Sequence, residues 1–114
     1  MINNNYLRLI GKLIDATKEN RLRWQQSSRE GEFIVEINGY TIGILLIQKS
    51  VFTIGLDRTS LCTVSIINED GNLIDSCNIT ANDEGYDDAV TLYNEAKRSF
   101  YKVDDVLKEL TESI

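Results

Sequence analysis

Asn38-Gly39 is the dipeptide that most restricts what this chain can fold into. A two-residue type I′ turn needs positive φ at both central positions, and Asn-Gly meets that need at the lowest steric cost. Placed at the tip of a hairpin, it sets Ile37 opposite Tyr40, Val35 opposite Ile42 and Phe33 opposite Ile44. All six are apolar and share one face. The other face receives Glu32, Ile34, Glu36, Thr41, Gly43 and Leu45, a mixed and mostly polar set. A slip by one residue would mix the two sets, so the hydrophobic pattern itself determines the register.

The same alternation continues along the chain. A three-residue loop, Gln48-Lys49-Ser50, places Phe52 opposite Leu46, Ile54 opposite Ile44 and Leu56 opposite Ile42, and also pairs Gly43 with Gly55. Glu69-Asp70-Gly71-Asn72 reads as a further hairpin turn. It pairs Val64 with Cys77, Cys62 with Ile79 and Ile66 with Asp75 on the apolar side. Five consecutive strands joined by short turns give an antiparallel β-meander with one greasy face. Each large aliphatic on that face contributes about 1.5–3 kcal/mol when buried, so the sheet needs a cover.

Two terminal segments have the period to supply it. Tyr6, Ile10, Leu13, Ile14 and Thr17 recur at helical spacing between Asn5 and Asn20, and Asn20 suits a left-handed helix stop. Leu22 and Trp24 then alternate with Arg21 and Arg23, as in a short extended exit. Near the other end, Ala89, Leu92, Tyr93, Ala96, Phe100 and Val103 keep spacings of three and four. Asp87-Asp88 occupies the first turn, where negative charge is favoured. Asp104 can restart a last helix carrying Val106, Leu107 and Leu110, and the pattern leaves open whether the helix breaks near Lys102. The expected fold is a single α+β domain over residues 1–114. It has two layers, a five-stranded antiparallel meander covered on one face by the N- and C-terminal helices. A chain of 114 residues is long enough for one such core without metal or disulfide staples.

Composition narrows the function. Histidine is absent, which removes His-based zinc sites, Ser-His-Asp triads and Cys-His dyads. The net charge of −6 is concentrated in the second half, where four Lys/Arg face twelve Asp/Glu. Such a chain repels phosphate backbones, so no nucleic-acid partner is expected. The longest apolar run, Ile42–Ile47, has six residues against the roughly 20 of a membrane span. No membrane partner follows, and Met1-Ile2-Asn3-Asn4-Asn5 lacks the basic start of a secretory leader, so the expected location is the cytoplasm.

The residues that could carry chemistry are few. Asp83, Glu84, Asp87 and Asp88 form the densest charge, but their spacing fits no calcium loop, and helix capping accounts for them. Cys62 and Cys77 share the apolar face diagonally, at about 7–8 Å, beyond the usual disulfide range. They read as buried free thiols. No metal, cofactor or catalytic residue is expected, and the chain does not read as an enzyme.

Two surfaces remain as candidates. Ile34, Gly43, Leu45, Ile47 and Gly55 form a strip on the outer sheet face where glycines leave room for an approaching backbone or ligand. The plainer reading is a mildly twisted sheet with scattered exposed aliphatics. Arg21, Arg23 and Trp24 could hold a nucleotide base or a carboxylate. Alternatively, Trp24 closes the core edge while the arginines reach out to water.

Three patterns carry a resemblance across most of the chain. The first helix ends in Thr-x-x-x-x-Leu-x-Trp, here Thr17 to Trp24, and a meander with the turn Asp70-Gly71 follows. The closing helix holds Leu92-Tyr93 and Ala96-Lys97-Arg98 ahead of Val103-Asp104. In these the chain resembles a group of small uncharacterised bacterial proteins built as helix, β-meander and helix. That resemblance implies the fold and brings no activity with it. The expected function is a protein–protein interaction module: a homodimeric adaptor, or a small inhibitor or immunity-type protein. A small-molecule or nucleotide binder at Arg21, Arg23 and Trp24 is the alternative.

Overall fold

The computed structural model describes residues 3–49 and 59–114. Helix α1 (Asn4–Lys18) opens on Asn3, whose side chain accepts the Asn5 amide at 2.8 Å. It closes through Asn20 at φ 58°, the left-handed stop expected from its side chain. Five strands follow: β1 (Gln25–Gln26), β2 (Glu32–Ile37), β3 (Tyr40–Lys49), β4 (Thr59–Ile67) and β5 (Leu73–Thr80). They lie in chain order in one antiparallel sheet. Helices α2 (Tyr86–Tyr101) and α3 (Val103–Ser113) complete the chain.

The hairpin register is the expected one. Phe33 pairs with Ile44, Val35 with Ile42 and Ile37 with Tyr40 around Asn38 (φ 53°) and Gly39 (φ 83°). Across β4 and β5, Cys62 pairs with Ile79, Val64 with Cys77 and Ile66 with Asp75, as the alternation requires. Their turn is organised by Asn68, whose Oδ1 accepts the amides of Asp70 and Asn72 at 3.0 and 2.9 Å.

One strand differs from expectation. The neighbour of β3 is β4, with Leu46 opposite Cys62, Ile44 opposite Val64 and Ile42 opposite Ile66. With β2 on its other edge, β3 has no edge left for Phe52, Ile54 and Leu56, which lie outside the described residues. The fifth strand is instead β1, a two-residue edge against Phe33 and Ile34.

Below the sheet, α1 and α2 bury Tyr6, Ile10, Leu13, Ala89, Leu92 and Ala96 against Phe33, Val35, Ile42, Ile44, Val64 and Ile79. Phe33 meets the rings of Tyr93 and Phe100 at 5.5 and 5.6 Å between centroids, in tilted pairs. At the rim the Tyr6 hydroxyl donates to Asp75 at 2.5 Å, tying α1 to β5. Lys102 then adopts φ 50°, ψ 50° and separates α2 from α3. The break left open by the sequence is therefore a single left-handed residue. Among the described residues, no helix is long and apolar enough to cross a membrane.

Candidate interaction surfaces

The outer strip is largely filled by the chain itself. Gly43 pairs with Ile34 on one side and Ser65 on the other, so the expected Gly43–Gly55 pairing does not form; Gly55 lies outside the described residues. A Cβ on Gly43 would stand 3.2 Å from Glu32 Oε2 and 3.7 Å from Ile34 Cγ2. The space that glycine leaves is taken by these neighbouring side chains. Leu45, on the same face, is only 6% exposed and has the Gly31 backbone beside its Cδ1. Ile34 is half-buried, and among the described strip residues it is Ile47, at 38%, that faces water.

The arginine–tryptophan group divides. Trp24 is 4% exposed and belongs to the core. Its Nε1 donates to Thr17 Oγ1 at 2.9 Å, and that hydroxyl donates to the Leu13 carbonyl at 2.6 Å. The Thr-x-x-x-x-Leu-x-Trp pattern is therefore one structural unit locking the exit of α1. Arg21 is exposed and pairs with Glu19 at 2.9 Å. Arg21 and Arg23 border a shallow cleft of about 420 Å³ with Gln25, Ile34, Glu36 and Thr41. Residues expected in two separate sites thus share one depression at the β1–β2 edge.

A wider cleft of about 750 Å³ lies where the ends of α1 and α2 meet the start of α3. Its charges are mixed: Lys18, Arg23 and Lys102 on one side of the balance, Glu95 and Asp105 on the other, with Arg98 bound to Asp104 at 2.6 Å.

Groups with displaced titration stand outside both clefts. Burial pushes the Cys62 thiol up to about 12, and Cys77 is raised by burial and then by the charges of Asp75 and Asp83. Neither is a thiolate at neutral pH, so neither is an activated nucleophile. Tyr6 is raised by burial and by its bond to Asp75, and Tyr93 mainly by burial. The Asp83 carboxyl is held below its ordinary value by the Thr80 amide and hydroxyl. Asp87 and Asp88 sit in the first turn of α2, where the helix dipole favours them. Among the described residues, no group of three or more Cys, Asp or Glu converges as a metal site would.

The surface that sequence reasoning did not single out is α3. None of its 11 residues is buried. Val106, Leu107 and Leu110 are 44, 51 and 55% exposed, and Ile114 beyond them is bare. The available signal was their spacing, which runs on past Lys102 after α1 and α2 have already covered the sheet. No family model matches the chain, and no curated protein or solved structure shows significant similarity to it.

Proposed function

We propose that the chain is a non-enzymatic protein–protein interaction module, an adaptor or a small inhibitor or immunity-type protein, and that α3 is the element it presents. The apolar exposure of α3 supports this reading above all. A helix of 11 residues is marginal in water without packing of its apolar side. An exposed, contiguous apolar stripe is also the usual mark of a contact surface. The test is a photo-reactive residue at Leu107, compared with one at Glu109 on the opposite side, in cells that make the protein. Crosslinking to protein from 107 well above 109 is expected; equal, background levels at both would overturn the reading.

The small-molecule or nucleotide reading draws on the cleft beside Arg21 and Arg23. It lacks a stacking ring there, because Trp24 is buried in the core. A ligand at 100 times its Kd adds about 2.7 kcal/mol of stability, so a thermal-shift panel of nucleotides and anionic metabolites tests it directly.

A further inference from the structure

The body of the fold is anchored right up to the end of α2. Phe33, in the core, meets Phe100 at 5.6 Å and Tyr101 at 6.2 Å between ring centroids. One residue later the chain turns left-handed at Lys102, whose amide donates to the Ser99 carbonyl at 3.3 Å. A separate ladder then begins, with the Val106 amide donating to the Lys102 carbonyl at 3.1 Å. Beyond that point nothing is anchored by burial: α3 has no buried residue, and α2 is the element it chiefly touches. A segment with so few buried contacts is free to move as a unit.

One charged contact crosses the break. Arg98 Nη2 lies 2.6 Å from Asp104 Oδ1, and among the described residues no other ion pair or side-chain hydrogen bond joins α2 to α3. Residues six apart on a continuous helix are roughly 9 Å apart along its axis and point to different sides, so they do not meet. The pair therefore exists because Lys102 bends the chain, and it lasts only while α3 keeps this angle. Its side chains are 47 and 87% exposed, and an ion pair that open holds weakly and is screened by salt. Arg98, Lys102 and Asp104 also line the 750 Å³ cleft, so a rotation at Lys102 changes the cleft and re-aims the apolar stripe together.

We infer that α3 is a hinged arm: it turns as an intact helix about Lys102, and the Arg98–Asp104 pair is the latch that holds it at the angle described. This goes beyond the reading of α3 as a contact element, because it concerns how the helix is aimed and not what it meets.

The test is the alignment of backbone amides in the purified full chain, from residual dipolar couplings in a strained polyacrylamide gel. At low salt, α3 of the wild type is expected to share the alignment of α1 and α2. Asp104→Asn, or 0.5 M sodium chloride, is expected to lower the alignment of α3 at least two-fold relative to α2, with its helical Cα shifts retained. Asp105→Asn, which removes a neighbouring charge but leaves the latch, is expected to change nothing. An α3 that stays fully aligned in Asp104→Asn and in salt overturns the proposal, as does an equal loss in Asp105→Asn. Loss of the helical shifts overturns it too, since α3 would then be melting and not turning. A rigid α3 that still crosslinks protein from position 107 sinks the hinge and leaves the interaction reading standing.

Discussion

The indole nitrogen of Trp24 lies 2.9 Å from the hydroxyl of Thr17, which lies 2.6 Å from the carbonyl of Leu13. One buried hydroxyl therefore satisfies a ring donor while bonding back into the last turns of α1. Thr17→Val keeps the shape and removes the acceptor, leaving the indole N–H unpaired in the core. The expected cost is about 1–3 kcal/mol, with Thr17→Ser costing less. Urea unfolding followed by Trp24 fluorescence should show a lower midpoint at an unchanged slope.

The hairpin turn gives a second expectation. Gly39 sits at φ 83°, and a Cβ there would lie 2.5 Å from Glu69 Oε1. Glu69 is exposed and can swing away, so the backbone strain is the larger part of the cost. Gly39→Ala should destabilise by about 1–2 kcal/mol, and Gly39→Ala/Glu69→Ala should recover little of it.

Alkaline pH should unfold the protein early. Burial raises the Cys62 thiol from 9.0 to about 12, so the fold favours its neutral form. Its contribution is complete below about pH 9 and lost as pH rises toward 12, at up to about 1.4 kcal/mol per unit. Tyr6, also raised, adds to the loss above its ordinary value of 10.0. The urea midpoint should therefore fall from about pH 9 upward, and Cys62→Ala should flatten the first part of that fall. An equal slope in the variant would assign the loss to Cys77 and the tyrosines, whose values are also raised.

Lys102 holds φ 50°, a conformation that disfavours a side chain with Cβ. Lys102→Gly should stabilise the chain by a few tenths to about 1 kcal/mol, less than the full strain because glycine also loosens the unfolded state. Lys102→Ala should give no such gain. Denaturation at low micromolar concentration keeps any dimer from masking the difference.

Much of this fold was legible because two turns fixed two registers. Asn38-Gly39 admits one pairing of β2 with β3, and the Asp-Gly turn did the same for β4 and β5. The partner of β3 was not legible. Gln48-Lys49-Ser50 contains no residue that prefers positive φ, so loop length went unconstrained, and the alternating run from Phe52 matched β3 as well as the one from Cys62. The two-residue β1 is all glutamine and carries no apolar signal. At the candidate surfaces, the expected pairing of the strip's glycines depended on that loop; Gly43 instead faces Ile34 and Ser65, and Gly55 lies outside the described residues. Trp24 was read both ways, and burial chose the structural role. The last helix was legible from Asp104 onward, with the break near Lys102 left open, but a lysine gives no warning of a left-handed residue, so its stripe read as more cover for the sheet.

The bond between Tyr6 and Asp75 has a consequence at the far side of β5. Among the described residues β5 has a strand on one edge only, and its eight residues leave a row of backbone groups facing outward. Open edges of that length invite the strand of another molecule, the first step of edge-to-edge aggregation. Asp75 lies on the apolar face of this edge strand, kept in place by the tyrosine hydroxyl. A strand added beside β5 would bring its own apolar side chains against that carboxylate. The contact that fastens the first helix to the sheet thus also makes the sheet a poor template for growth.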